Sequence, residues 1–182
     1  MWAQTLLGIL GGVAFLMAIQ PFIQMWCGRP KINIGFSTYD VKDGGGTCMI
    51  CTIWNKPITK GILSFLRIHR DTAEDVLAFF FITERGTGER IFSPQEAILI
   101  KTRAGFRAER ISLPASFFPA SFIVALVNRK NGQVLLEDKE TKLQSGEYIV
   151  NVIIDSDGKQ YKKTSLLIIE DKYPFATWDT IS

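Results

Sequence analysis

The sequence predicts an all-β domain, an antiparallel β-sandwich, behind a single N-terminal transmembrane helix. Three observations carry this. No charged residue lies between Leu6 and Trp26, and all 21 Lys and Arg and all 18 Asp and Glu fall from Arg29 onward. Beyond that point short runs of alternating polarity recur between Gly-, Asn- and Asp-containing turns, the pattern of a sandwich or barrel. Phenylalanine, with 13 copies, leads the aromatic residues, and in short runs with Ile and Val it favours strands over helices. The 182 residues divide into an anchor over 1–28, a β-sandwich domain over 29–171 and a C-terminal tail over 172–182. That leaves room for one domain with a core and hardly two, and an apolar content of 47% excludes disorder for most of it.

The anchor comes first. Residues 6–26 would form a helix of about 31 Å, matching a hydrocarbon core of about 30 Å. Leu6 and Phe15 belong to its apolar surface, and Trp2 and Trp26 bracket it at the headgroup level that tryptophan prefers. A cleaved signal peptide is the competing reading. It would need a basic leading segment and a small-residue cleavage site, and residues 2–5 carry no Lys or Arg while the exit is Gln-Met-Trp-Cys-Gly. Gly8 and Gly12 form a G-x-x-x-G pair, the spacing at which two helices approach closely, so a homodimer through the helix is the association it would support. Pro21 should kink the helix or end it early. Arg29 and Lys31 flank the exit, which by the positive-inside rule places the soluble domain in the cytoplasm of a single-pass membrane protein. An odd number of cysteines, three, sits more easily in that reducing compartment.

Gly28-Arg29-Pro30 reads as a short hinge. Strands are then predicted over 31–36, 47–54 and 63–70, with Asp43 to Gly46 as a turn. Further strands follow over 76–83, 97–102, 106–113, 122–128 and 133–137. Gly86-Thr87-Gly88 turns the chain into Arg90-Ile91-Phe92, Pro114 and Pro119 mark a loop or an edge, and Asn131-Gly132 signals a hairpin. The last hairpin, 147–155 with 159–169, turns at Ser156-Asp157-Gly158 and places Tyr148, Val150, Val152 and Ile154 on one face.

Leu143-Gln144-Ser145-Gly146-Glu147-Tyr148 resembles the tyrosine corner that leads into the penultimate strand of immunoglobulin-like sandwiches. The resemblance covers roughly 25 residues and implies an Ig-like antiparallel sandwich whose last two strands are the hairpin above. Val150 stands where antibody domains carry a cysteine, so the fold would be of the kind without the inter-sheet disulfide. A superfold assigns no function.

Chemistry is thinly marked. Cys48 and Cys51 form a C-x-x-C, but in a strand residues three apart face opposite ways with Cα atoms about 10 Å apart, beyond the roughly 7 Å limit for a disulfide. Buried structural thiols are the expectation. Cys27 at the boundary has the position of a palmitoylation site or of an inert interfacial thiol. His69-Arg70-Asp71 copies the start of a kinase catalytic loop, yet Val76 stands where the metal-binding Asn belongs. Asp155 to Gly158 is explained by its hairpin. No cofactor, metal site or catalytic set is expected, and the net charge of +3 is too small and interspersed to argue for nucleic acid. The expectation is therefore a membrane-anchored protein-interaction module or membrane-complex subunit, its partners the lipid bilayer and an unidentified protein. The first alternative is a lipid-headgroup module gripping with Lys101, Arg103, Arg107 and Arg110; the second is a thiol-dependent enzyme using Cys48 and Cys51. The aromatic tail around Tyr173, Phe175 and Trp178 would pack on the domain or dock on a partner.

Overall fold

The computed structural model describes residues 2–41, 45–65, 67–101, 106–116, 118–137 and 140–180. The uncharged segment forms α1 (Trp2–Cys27), and Pro21 lies inside it without ending it. Ring closure removes one backbone donor, but the helix continues for six residues, so Phe22 to Trp26 remain helical.

Two antiparallel sheets follow. The first contains β1 (Ile32–Asp40), β2 (Gly46–Asn55), β5 (Leu99–Lys101), β6 (Phe106–Ala108), β8 (Ala120–Asn128), β9 (Val134–Leu136) and β10 (Lys142–Leu143). Its order is β1-β2-β8-β5-β6, with β9 also on β8 and β10 on β9. The second contains β3 (Ala73–Glu84), β4 (Arg90–Glu96), β7 (Arg110–Leu113), β11 (Gly146–Ser156), β12 (Lys159–Ile169) and β13 (Ala176–Asp179). Its order is β13-β12-β11-β3-β4, with β7 on β3.

The strand periodicity places one face of each sheet in a shared core. Ile32 and Ile34 of β1, Met49, Cys51 and Ile53 of β2, and Tyr148, Val150, Val152 and Ile154 of β11 are all buried there. Phe80 from the second sheet meets Phe122 from the first at 5.4 Å between ring centroids, and Phe92 at 5.1 Å, both within the range of favourable aromatic pairs. On β12 the core face is Leu167 and Ile169, whereas Ile168 lies on the opposite side and is only partly buried.

The hairpins obey local chemistry. Asp157 and Gly158 both have positive φ, 51° and 70°, as a two-residue turn with the twist of its flanking strands requires. Tyr148 donates its hydroxyl to the Gln144 carbonyl at 2.9 Å, closing the corner before β11. The tail is a strand: β13 pairs with β12 from Ile169↔Ala176 to Leu166↔Asp179. Trp178 then reaches across to the other sheet, its indole Nε1 donating to the Ser37 carbonyl at 3.0 Å and its ring 4.8 Å from that of Phe36. Lys163 Nζ makes a second cross-sheet bond, to the Ile34 carbonyl.

Two expected strands are corrected. Residues 63–70 are not a strand. They hold one helical turn, α2 (Ile62–Phe65), followed by an irregular segment. Arg67 takes φ 55°, its amide bonds to Ser64 O, and the Ile68 amide bonds back to Leu63 O. That is a Schellman stop with an arginine where glycine is usual, and Ile68 is then buried as a plug. The apolar alternation came from a turn, not from a pleat. Residues 106–113 are likewise two strands in different sheets, because the chain crosses from β6 to β7 at Glu109. The Asp43 turn lies outside the described residues, apart from Gly45 and Gly46.

Candidate functional site

At the helix-proximal end, the Asn55 side chain, 1% exposed, ties three segments together. Its Oδ1 accepts from the Lys31 amide at 3.0 Å, and its Nδ2 donates to Asp71 O at 2.7 Å and to Leu113 O at 3.2 Å. This secures the start of β1, the approach to β3 and the end of β7.

The same end is fastened to α1. Gln24 Nε2 donates to His69 O at 2.8 Å and to Asp71 Oδ1 at 3.2 Å, while its Oε1 accepts from the His69 amide at 3.1 Å. Asp71 N donates to Gly28 O at 2.6 Å. Arg70 Nη1 donates to Arg29 O at 2.9 Å and to Cys27 O at 3.4 Å, the latter a carbonyl that the helix end leaves open. Its Nε is enclosed without a partner. A side chain at Gly28 would collide with Gln24 and the His69 carbonyl, so glycine is required there by close approach. The expected hinge at Gly28-Arg29-Pro30 is therefore a braced joint.

Before its last turns the helix is open on all sides. Its apolar stretch Gln4–Cys27 is long and apolar enough to cross a membrane and is unburied. Trp2, Leu6, Phe15 and Trp26 are exposed, and Pro21 lies on the same open surface. Gly8 and Gly12 have no neighbouring atom within 4 Å of an added Cβ, so one bare stripe faces outward.

The remaining candidates are placed by their strands. Lys101 ends β5 opposite Ala120 at the helix-proximal end, Arg107 lies in β6 opposite Ile100, and exposed Arg110 lies in β7 of the other sheet. Arg103 lies outside the described residues. All three cysteines are free thiols. Burial raises the pKa of Cys51 strongly and that of Cys48 as well, which suppresses the reactive thiolate. Among the described residues no group of three or more His, Cys, Asp or Glu is placed to hold a metal ion.

An open cleft of about 330 Å³ lies on the outer side of the first sheet at the helix-proximal end, lined by Thr52, Trp54, Lys56, Pro57, Thr59 and Pro119. At this end the chain before Asp71 carries basic charge alone, and Asp71, Glu74 and Asp75 follow it. Arg29, Lys31, Lys56, Lys60 and Arg67 are exposed and Arg70 is half-buried, and no Asp or Glu occurs from 44 to 70. With those six set aside, fifteen basic residues face eighteen acidic ones. The sequence alone assigns no role to Gln24 or Asn55, and within this collar it marks only Arg29 and Lys31, as the flank of the helix exit. Gln24 had a visible signal, an amide near the end of an otherwise apolar run; Asn55 had none beyond ending a strand.

No family model matches the chain, and neither a curated protein nor a solved structure matches it.

Proposed function

We propose that this chain is a single-pass membrane protein whose β domain is an immunoglobulin-like interaction module, serving as a subunit of a membrane complex with its domain on the cytoplasmic side. The observation that carries the reading is the joint. A helix that is apolar all round and unburied is at home in lipid, and the contacts of Gln24 and Arg70 make it one piece with the domain. A leader destined for removal has no use for such bracing.

The Ig-like assignment is supported by strand order. The sequence β1-β2-β8-β5 in one sheet and β12-β11-β3 in the other follows the A-B-E-D and G-F-C order of constant-type Ig sandwiches, with the Tyr148 bond at the corner before β11. Binding rather than thiol chemistry is supported by the burial of Cys51 and Cys48. Arg29 and Lys31 support the cytoplasmic side, and the bare Gly8 and Gly12 stripe supports self-association through the helix.

Alkaline carbonate extraction of membranes, followed by protease treatment of intact cells carrying a tag after Ser182, tests the reading. The protein should stay in the pellet at full length with its tag protected until the cells are broken. A soluble product lacking the helix would sink the anchor, and clipping of the tag in intact cells would reverse the side. Leucine at Gly8 and Gly12 should abolish any dimer cross-linked in the membrane; an unchanged dimer would remove the helix from the association.

A further inference from the structure

We infer that the helix-proximal end of the sandwich is a docking surface for the headgroups of anionic phospholipids, with the cleft beside Trp54 and Lys56 as its formed seat. The inference rests on the membrane-anchor reading and deepens it by naming a ligand.

Height is the first argument. The apolar run ends at Trp26, and Gln24, two residues earlier, is bonded to residues 69 and 71. The Lys56 amide in turn donates to Lys31 O, four residues beyond the helix end. Residues 69 and 71 are thus held beside the last helical turn and Lys56 beside the chain that leaves it, which in a spanning helix of this length is the headgroup layer.

Charge is the second. Arg29, Lys31, Lys56, Lys60 and Arg67 are exposed and pair with no acidic side chain among the described residues. Of the acids that follow directly, Asp71 accepts from Gln24 and Glu74 from Ser112, while Asp75 is exposed near the start of β3 on the other sheet. Asp157 lies in the β11–β12 turn at the same end but on the other sheet. A Lys or Arg near an anionic leaflet strengthens association by about fivefold each, so several together select strongly against a zwitterionic surface.

Shape is the third. The cleft of about 330 Å³ sets an indole and a flexible ammonium against two prolines and two threonines, with no carboxylate in its lining. It is of the size of small ligand clefts. An indole suits the interfacial layer, and a lysine such as Lys56 has the reach to meet a phosphate. Phe118, 52% exposed, adjoins Pro119 of the cleft and offers an aromatic ring to the same layer.

The test uses the full chain in nanodiscs of phosphatidylcholine alone or of an equimolar mixture with phosphatidylglycerol, read by backbone hydrogen exchange over 56–65. Exchange should slow by about fivefold or more in the mixture. The triple variant K56Q/K60Q/R67Q should erase that difference while leaving exchange in the β11–β12 hairpin unchanged. Equal exchange of the unmutated chain in the two lipids would overturn the inference. So would loss of the slowing on replacing chloride by inorganic phosphate at matched ionic strength, which would mark a site for free anions instead. A chain that enters neither nanodisc would fail the anchor reading, an outcome visible before any exchange is measured.

Discussion

Replacing Gln24 with alanine should loosen the domain from its helix without unfolding either. The side chain makes three hydrogen bonds, to His69 O, His69 N and Asp71 Oδ1, at 2.8, 3.1 and 3.2 Å. In a buried setting each would contribute about 1 kcal/mol. These lie where water competes, so about 2 kcal/mol for the set is the better figure, and that corresponds to roughly a thirtyfold rise in the detached population. Arg70 Nη1 and the Asp71 amide still hold Cys27, Gly28 and Arg29, so Q24A alone should not free the domain completely; adding Arg70→Ala should. The assay is time-resolved anisotropy of a fluorophore at residue 130, beyond β8 at the far end, with the chain in a nanodisc. The unmutated domain should turn only as fast as the disc, Q24A should add a small fast component, and Q24A/R70A a dominant one. A large fast component in the unmutated protein would refute the braced joint, and with it the argument that Lys56 and residues 69 and 71 are held at a fixed height.

Three further outcomes are expected. Tyr148→Phe leaves the Gln144 carbonyl without its donor at a site 3% exposed; a loss of about 1–2 kcal/mol and of about 3–6 °C in Tm should appear in thermal unfolding of the domain. Burial pushes the Glu137 carboxyl up to about 7. A raised acid binds its proton more tightly in the folded state, so its contribution is present below its unfolded value near 4.5 and is lost as pH rises toward 7. Because the group is partly exposed, the screened effect is about 1 kcal/mol, and Glu137→Gln should stabilise the protein by that amount at pH 8 and not at pH 4 in urea titrations. Finally, a water-soluble thiol reagent applied to the native protein should spare Cys51 until unfolding and modify Cys48 only slowly, in keeping with their burial; prompt reaction of Cys51 would reopen the thiol-enzyme reading.

Where the fold was legible in the sequence, a short-range rule produced it. The uncharged run became α1, the Asn131-Gly132 and Asp157-Gly158 turns became hairpins, and the alternation in 147–155 became the core face of β11. Where it was not legible, the deciding contact was distant. Leu63 to Arg70 alternate like a strand, yet the segment serves as the seat for Gln24, some 45 residues away. The crossing at Glu109 is set by which sheet offers a partner, β5 or β3, and no local signal announces that. The candidate site shared this fate. Its cations lie scattered from Arg29 to Arg70, and only the Asn55 and Gln24 contacts gather them at one end.

The pairing of β1 with β2 also determines how the protein would bear load. The helix feeds directly into Ile32, so tension between a bilayer and the far end of the sandwich enters β1 along its own axis. The nine residue pairs from Ile32↔Asn55 to Asp40↔Thr47 lie across that direction, since antiparallel hydrogen bonds run perpendicular to their strands. They are stressed together in shear and do not open one at a time like a zipper. The joint at Gln24 and Arg70 would yield first and act as a fuse, and the domain behind it would resist until the whole strand slid.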